Sequence, residues 1–161
     1  MKKNLFMIEI ERKFLVKNSS FLQQAYKHSK MIQGYLSRDP KRTVRVRLVD
    51  EKGILTIKGQ SSSSGMSRFE WEKEIDYKEA KDLLALALEN IIEKVRYFIK
   101  WNNVIFEVDV FEGVHLGLIL AEVELKKEDE KVDLPEWVGE EVTGQKEYYN
   151  SYLSFNTLKK S

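Results

Sequence analysis

Through most of the chain, apolar and polar residues alternate with a period of two, the repeat of a half-buried β-strand. Eight segments carry it: Met7 to Phe14, Met31 to Ser37, Thr43 to Val49, Ile54 to Lys58, Arg68 to Asp76, Ile91 to Lys100, Val104 to Phe111 and Leu118 to Lys126. Asp50-Glu51-Lys52-Gly53 separates the third from the fourth and Asn102-Asn103 the sixth from the seventh. These are residues of tight reversals, so neighbouring segments are expected to pair as antiparallel hairpins. The spacing turns helical from Lys78 to Leu88, where Leu83, Leu84, Leu86, Ala87 and Leu88 make one broad apolar face. It does so again from Lys146 to Leu158, with Tyr148, Tyr149, Tyr152, Leu153 and Phe155. A short helical turn is expected around Leu22 to Tyr26. Ser61-Ser62-Ser63-Ser64-Gly65 is small and polar and reads as a mobile loop that closes over an opening.

The polar positions of the strands are charged almost without exception. Glu9, Glu11 and Lys13 share one face of the first segment, with Ile8, Ile10 and Phe14 on the other. Arg45 and Arg47, then Lys58, then Arg68, Glu70, Glu72, Glu74 and Asp76 repeat the pattern. So do Lys94 with Arg96, Glu107 with Asp109, and Glu122, Glu124 and Lys126. A solvated sheet face mixes Ser, Thr, Gln and Lys, whereas here like charges recur two residues apart and repel unless something of opposite sign lies between them. The arrangement suits bound ions of both signs. A sheet closed with these charges inward makes a hydrated tunnel whose apolar outer face the helices cover. The expected fold is therefore α+β with β dominant: an eight-stranded antiparallel closed barrel with a charged lumen and a few helices outside.

Composition narrows the picture without changing it. The 161 residues fit one domain spanning 1–161, with no linker-like stretch and no repeat. Twenty-seven Lys and Arg oppose 26 Asp and Glu, a net charge of +1, so no global field draws nucleic acid or an anionic membrane, and any anion site is local. Without cysteine there is neither a disulfide scaffold nor a thiolate ligand, which leaves carboxylates as hard-metal ligands. No apolar run has signal-peptide or membrane-spanning length, so a cytoplasmic protein is expected.

The run Glu9-Ile10-Glu11-Arg12-Lys13 is a Glu-x-Glu-x-Lys signature, weak alone. It is followed in order by Gln33-Gly34-Tyr35-Leu36, Val44-Arg45-Val46-Arg47-Leu48, Thr56-Ile57-Lys58, Glu93-Lys94-Val95-Arg96-Tyr97, Glu107-Val108-Asp109 and Glu122-Val123-Glu124. With these the chain, from Ile8 to about Glu147, resembles the CYTH or triphosphate tunnel metalloenzyme superfamily. The resemblance implies an eight-stranded tunnel, dependence on Mg²⁺ or Mn²⁺, and a small-molecule triphosphate substrate. Candidates are inorganic tripolyphosphate, thiamine triphosphate, RNA 5′ ends, or ATP in the adenylate-cyclase branch. The opening Glu-Ile-Glu-Arg-Lys-Phe-Leu looks most like bacterial tripolyphosphatases.

On that resemblance, Glu9, Glu11, Glu122 and Glu124, with Asp109 nearby, are the expected metal ligands, since Mg²⁺ favours carboxylates and phosphate oxygens. Lys13, Arg45, Arg47, Lys58, Lys94 and Arg96 are the expected phosphate ligands, with Arg68 at the edge of the Ser-rich loop. Water attacking a terminal phosphorus is oriented by a second metal or by Glu70 or Glu72, and Lys94 is a candidate to protonate the leaving group. Tyr35 is read either as a partner of Lys13 or as a buried aromatic with a satisfied hydroxyl. His28 and His115 are read as loop or surface residues, Trp71, Trp101 and Trp137 as packing, Lys126 as a residue of the tunnel mouth, and Lys159 and Lys160 as a solvated tail. The competing readings are an adenylate cyclase or thiamine triphosphatase and, in another class, a non-catalytic polyphosphate-binding module. A homodimer through the apolar outer face is the expected assembly.

Overall fold

A computed structural model describes residues 8–156. Met7, Leu158, Lys159 and Lys160 lie outside the described residues. The strands are β1 (Ile8–Val16), β2 (Ala25–Ser37), β3 (Arg42–Val49), β4 (Lys52–Ser61), β5 (Ser67–Ile75), β6 (Leu88–Trp101), β7 (Val104–Phe111), β8 (Ile119–Glu124) and β9 (Val138–Glu141). They are joined in the order β5-β4-β3-β2-β6-β7-β8-β1, and β1 returns to β5, which closes an eight-stranded antiparallel barrel. The ninth strand, which alternation did not reveal in so short a piece, adds to the far end of β1 through Phe14 and Val16. Asp50 and Asn102 adopt positive φ of 53° and 52° in the two-residue turns between β3 and β4 and between β6 and β7. Asx side chains tolerate that backbone, and both expected hairpins form there.

The barrel is apolar outside. Phe14, Ile99, Phe106, Val108, Ala121 and Val123 on the outer face of β1, β6, β7 and β8 pack with Phe21 and Trp137 from the covering segments. On the opposite side α2 (Tyr77–Leu84) lies over Val46 and Leu48 through Ala80. The Asp76 carboxylate accepts from the amides of Lys78 and Glu79, so the last residue of the charged β5 run caps α2 instead of facing the lumen. Gly53 lets the helix approach, because a β-carbon there would stand 2.5 Å from that of Ala80.

Several boundaries differ from the sequence expectation. The helix expected from Lys78 to Leu88 stops at Leu84, and Leu88 opens β6, three residues before the expected Ile91. The strand expected from Met31 starts at Ala25, leaving α1 (Phe21–Gln24) shorter than the Leu22 to Tyr26 turn suggested. The expected C-terminal helix is broken into a 3-10 turn, Lys146–Tyr148, and one α-turn, α3 (Asn150–Leu153), because the backbone of Tyr149 is extended at φ −74° and ψ 137°. His115, expected in a loop or on the surface, lies in the 3-10 turn Gly113–His115 between β7 and β8 but is buried, with its Nε2 2.6 Å from the Leu153 carbonyl and its ring edge-on to Phe111.

The inner face changes character at one end. One step beyond the last charge on each strand, Ile92, Phe111 and Leu120 turn inward and meet Val142 and Leu153, with Leu15 and Tyr148 packed against them. The C-terminal segment therefore seats an apolar stopper in one end of the barrel. The ionic lumen above it is a cup.

Candidate functional site

The lumen encloses a cavity of about 520 Å³. Of the expected site residues, Glu9, Glu11, Lys13, Tyr35, Arg45, Arg47, Lys58, Arg68, Glu70, Glu72, Arg96, Glu122 and Glu124 line it. Thr43, Thr56, Phe98, Glu107 and, from the C-terminal segment, Tyr149, Asn150 and Ser151 line it too. Thr43, Thr56, Phe98 and Glu107 share the period-two register of the charges, which was the signal available for them. Asn150 gave none, because it comes from a stretch whose spacing spoke only of packing. Lys94 and Asp109, expected in the lumen, are set back from it, 0% and 2% exposed and 2.7 Å apart.

The cations fall into two groups. Lys58 lies 2.9 Å from Glu9 and 3.3 Å from Glu70, bridging the three strands β4, β1 and β5 where the barrel closes. Arg96 holds Asp109 through Nε and Nη2 at 2.7 and 2.9 Å and reaches Glu107 at 2.6 Å. Both Asp109 oxygens are thereby engaged, so in this structure Asp109 clamps Arg96 and Lys94. Lys13 Nζ donates to the Tyr148 carbonyl at 3.1 Å and stands 3.5 Å from Glu122. The contact expected between Tyr35 and Lys13 is not among these.

Arg45, Arg47 and Arg68 differ. Arg45 donates only to the Thr56 hydroxyl, Arg47 to the Met31 sulfur, and Arg68 to the Gly59 carbonyl and the Thr43 hydroxyl. None has a carboxylate partner among the described residues, and the Nε atoms of Arg45 and Arg47 are buried without any partner. Buried guanidinium groups left in this state favour an anion.

The acids are crowded in complement. Glu11 pairs across strands with Glu124, and Glu122 with both Lys13 and Glu107. Burial, and then the charges of Glu122 and Glu9, push the Glu11 carboxyl well above its ordinary range. Burial acts upward on Glu122 as well, but Lys13 and Arg96 outweigh it, and with a hydrogen bond from Glu11 they hold that carboxyl low. Burial and neighbouring charge therefore drive the two carboxyls in opposite directions, Glu11 towards keeping its proton and Glu122 towards losing it. Among the described residues no preformed cluster of metal-ligating side chains is complete. The all-oxygen donor set nonetheless suits a hard divalent cation, because such ions take part of their coordination from water and substrate phosphate. Burial drives the Lys94 ammonium down to about 8 despite Asp109 beside it. Burial also opposes the charge on Lys58, but Glu9 and Glu11 prevail and raise it.

The Ser-rich segment is pinned. Ser64 and Ser67 donate to Glu128 at 2.9 and 3.1 Å, and Gly65 packs on Gly144, where a β-carbon would come within 2.4 Å of the Gly144 Cα.

The family profile described as CYTH domain matches residues 7–155. The chain belongs to the CYTH family. It is 42% identical over 152 residues to an inorganic triphosphatase of Acetivibrio thermocellus, covering 94% of this chain and 96% of that one. It is 37% identical over 155 residues to an inorganic triphosphatase of Nitrosomonas europaea, covering 93% and 99%. A crystal structure of an inorganic triphosphatase superimposes with a TM-score of 0.67 at 33% identity, over 94% of this chain and all of the other. The charged cup is thus the CYTH lumen.

The raised Glu11 carboxyl makes stability depend on pH. With its folded pKa above the unfolded one, this group contributes stability that is full below the ordinary carboxylate range and is lost as pH rises through the raised value. Glu11→Gln keeps the shape and removes the ionisation. Without metal it is expected to melt a few degrees above wild type at pH 8, with the gain vanishing towards pH 4. A variant melting at or below wild type at pH 8 would contradict the raised Glu11 carboxyl.

Proposed function

We propose that this CYTH protein hydrolyses inorganic tripolyphosphate with Mg²⁺ or Mn²⁺ in its barrel lumen. The observation that carries this is that three lumen arginines have no carboxylate partner among the described residues and face a crowded carboxyl cluster in which burial and neighbouring charge raise Glu11. A triphosphate would supply the anion for Arg45, Arg47 and Arg68, and a divalent cation held by the carboxyl cluster would favour the ionised form of Glu11. Glu9, Glu11, Glu122 and Glu124 are the residues to hold the metal, which supplies charge neutralisation on the phosphates. Lys58 and Lys13 complete the phosphate cradle, and Arg96, tied to Asp109 and Glu107, braces the acidic wall.

In the reaction, water adds to a terminal phosphorus, the P–O–P bond breaks, and orthophosphate and pyrophosphate result. Glu70 and Glu72 are the carboxylates available to orient that water. Glu72 is exposed at the rim and accepts from Thr56 at 3.0 Å, whereas Glu70 is buried beside Lys58. Positioned charge supplies most of the acceleration. The expected setting is the cytoplasm, and among the described residues no helix is long and apolar enough to cross a membrane.

Phosphate release from tripolyphosphate and from ATP, each with Mg²⁺, Mn²⁺ or chelator, tests this. Metal-dependent release from tripolyphosphate is expected, falling at least about 100-fold in Glu11→Gln, with KM raised about tenfold or more in Arg45→Ala. Cyclic AMP with pyrophosphate from ATP would make the chain a cyclase. Tight tripolyphosphate binding without turnover would make it a binding module.

A homodimer forms on the outer face that α2 leaves uncovered. There Val44 pairs with Ile57, Ile57 with Trp71, and Ile8 with Phe69, an apolar row in which Ile8 and Phe69 are 43% and 42% exposed. Light scattering after size exclusion is expected to give twice the chain mass for wild type and the single mass for Phe69→Glu. A monomeric wild type would refute it.

A further inference from the structure

The charge of Lys94 does not meet the cavity directly. Its ammonium is fully buried, with Asp109 at 2.7 Å, the Phe111 ring face at 5.4 Å and the Asn150 oxygen at 2.9 Å. Among the described residues that line the cavity Asn150 is present and Lys94 is not. The C-terminal segment has placed an amide between the lysine and the space where substrate would lie.

The orientation of that amide is fixed by its neighbours. An ammonium only donates, so the Asn150 atom facing Lys94 must be the oxygen. The same oxygen accepts from Gln33 Nε2 at 3.1 Å. Both contacts use Oδ1, and among the described residues nothing accepts from Nδ2. An amide whose oxygen carries two donors, one of them charged, is polarised, and its NH₂ becomes a stronger donor.

The amide is also held firmly in place. Leu153, in the same turn, is fully buried among Ile92, Phe111 and Leu120, and His115 meets its carbonyl. On the other side of the segment Tyr148 and Tyr149 sit on Lys13, and Gly144 sits on Gly65. Asn150 is thus fixed from both flanks, as an anion-recognising group must be to discriminate at low entropic cost.

We propose that Asn150 is a substrate-binding residue, donating from Nδ2 to a phosphoryl oxygen and passing on the charge of Lys94, which acts behind it as a positioning residue. The proposal rests on the lumen being the triphosphate site and adds a contact from outside the barrel strands. It also separates Lys94 from the six cations that line the lumen among the described residues: the lysine orients and polarises the amide instead of touching phosphate.

Asn150→Asp gives the decisive comparison. It is isosteric and preserves an acceptor for Lys94 and Gln33, so a purely structural Asn150 is replaced with no loss. A substrate donor is replaced by an anion facing phosphate. We expect Asn150→Asp to melt at or above wild type while its affinity for tripolyphosphate falls at least tenfold, measured by calorimetry with Ca²⁺ and again with chelator. In turnover with Mn²⁺, KM should rise at least as steeply. Asn150→Ala, which removes the donor without adding charge, should lose affinity by a smaller factor. Affinity unchanged in Asn150→Asp overturns the proposal, as does an Asn150→Ala that binds more weakly than Asn150→Asp. Because binding is read separately from turnover, a wild type that binds but does not hydrolyse sinks the hydrolase reading and leaves this contrast intact.

Discussion

A carboxylate or ammonium withdrawn from water must find opposite charge or lose its own, and the interior of this barrel is built around that condition. Lys58 between Glu9 and Glu70 is the plainest case, because it neutralises β1 and β5 at the place where the sheet closes on itself. Arg96 does the same for β7 through Asp109 and Glu107. What remains unbalanced is an arginine row on β3 and β5, whose hydrogen-bond partners among the described residues are neutral, and the crowding that raises the Glu11 carboxyl. Under the proposed function, a polyanion and a divalent cation would complete the balance that the side chains leave open.

Inverting the polarity of a barrel also decides where its apolar core goes. With charges inside, Phe14, Phe106, Val108 and Val123 face outward and must be covered, which is the work of α1, α2 and the segment carrying Trp137. The C-terminal turn does the opposite task, placing Leu153 inside the lumen where Ile92, Phe111 and Leu120 replace charge. The boundary between the ionic and apolar layers is where Lys94, Asn150 and Asp109 meet.

The barrel was legible in the alternation because each strand buries one face against helices and one against ions, and both demands are strict. Even the apolar layer is written there, as Leu15, Ile92, Phe111 and Leu120 each follow or precede a lumen charge by two residues. The walls of the cavity were legible for the same reason: a charged residue on the inner face has nowhere else to go. Local sequence said least where tertiary contacts decide. The first half of β2 reads as helix or loop until β6 pairs with it, and β9 is four residues whose partner is distant. His115 is buried by the carbonyl of Leu153, and Asn150 enters the lumen by the fold of a segment whose tyrosines suggested only packing. Spacing cannot tell that Lys94 and Asp109 neutralise each other behind the cavity wall, since both lie on the inner face.

The central claim is that cation and triphosphate occupy the lumen together, between the Glu11 and Glu122 carboxyls and the Arg45, Arg47 and Arg68 guanidinium groups. Anomalous diffraction from crystals of Glu70→Gln soaked in Mn²⁺ and tripolyphosphate tests it most directly. The account predicts a manganese peak roughly 2.0–2.5 Å from carboxylate oxygens of Glu11 and Glu122 and from phosphate oxygens that the three arginines also contact. Manganese confined to the outer surface, or tripolyphosphate bound away from those arginines, would contradict it.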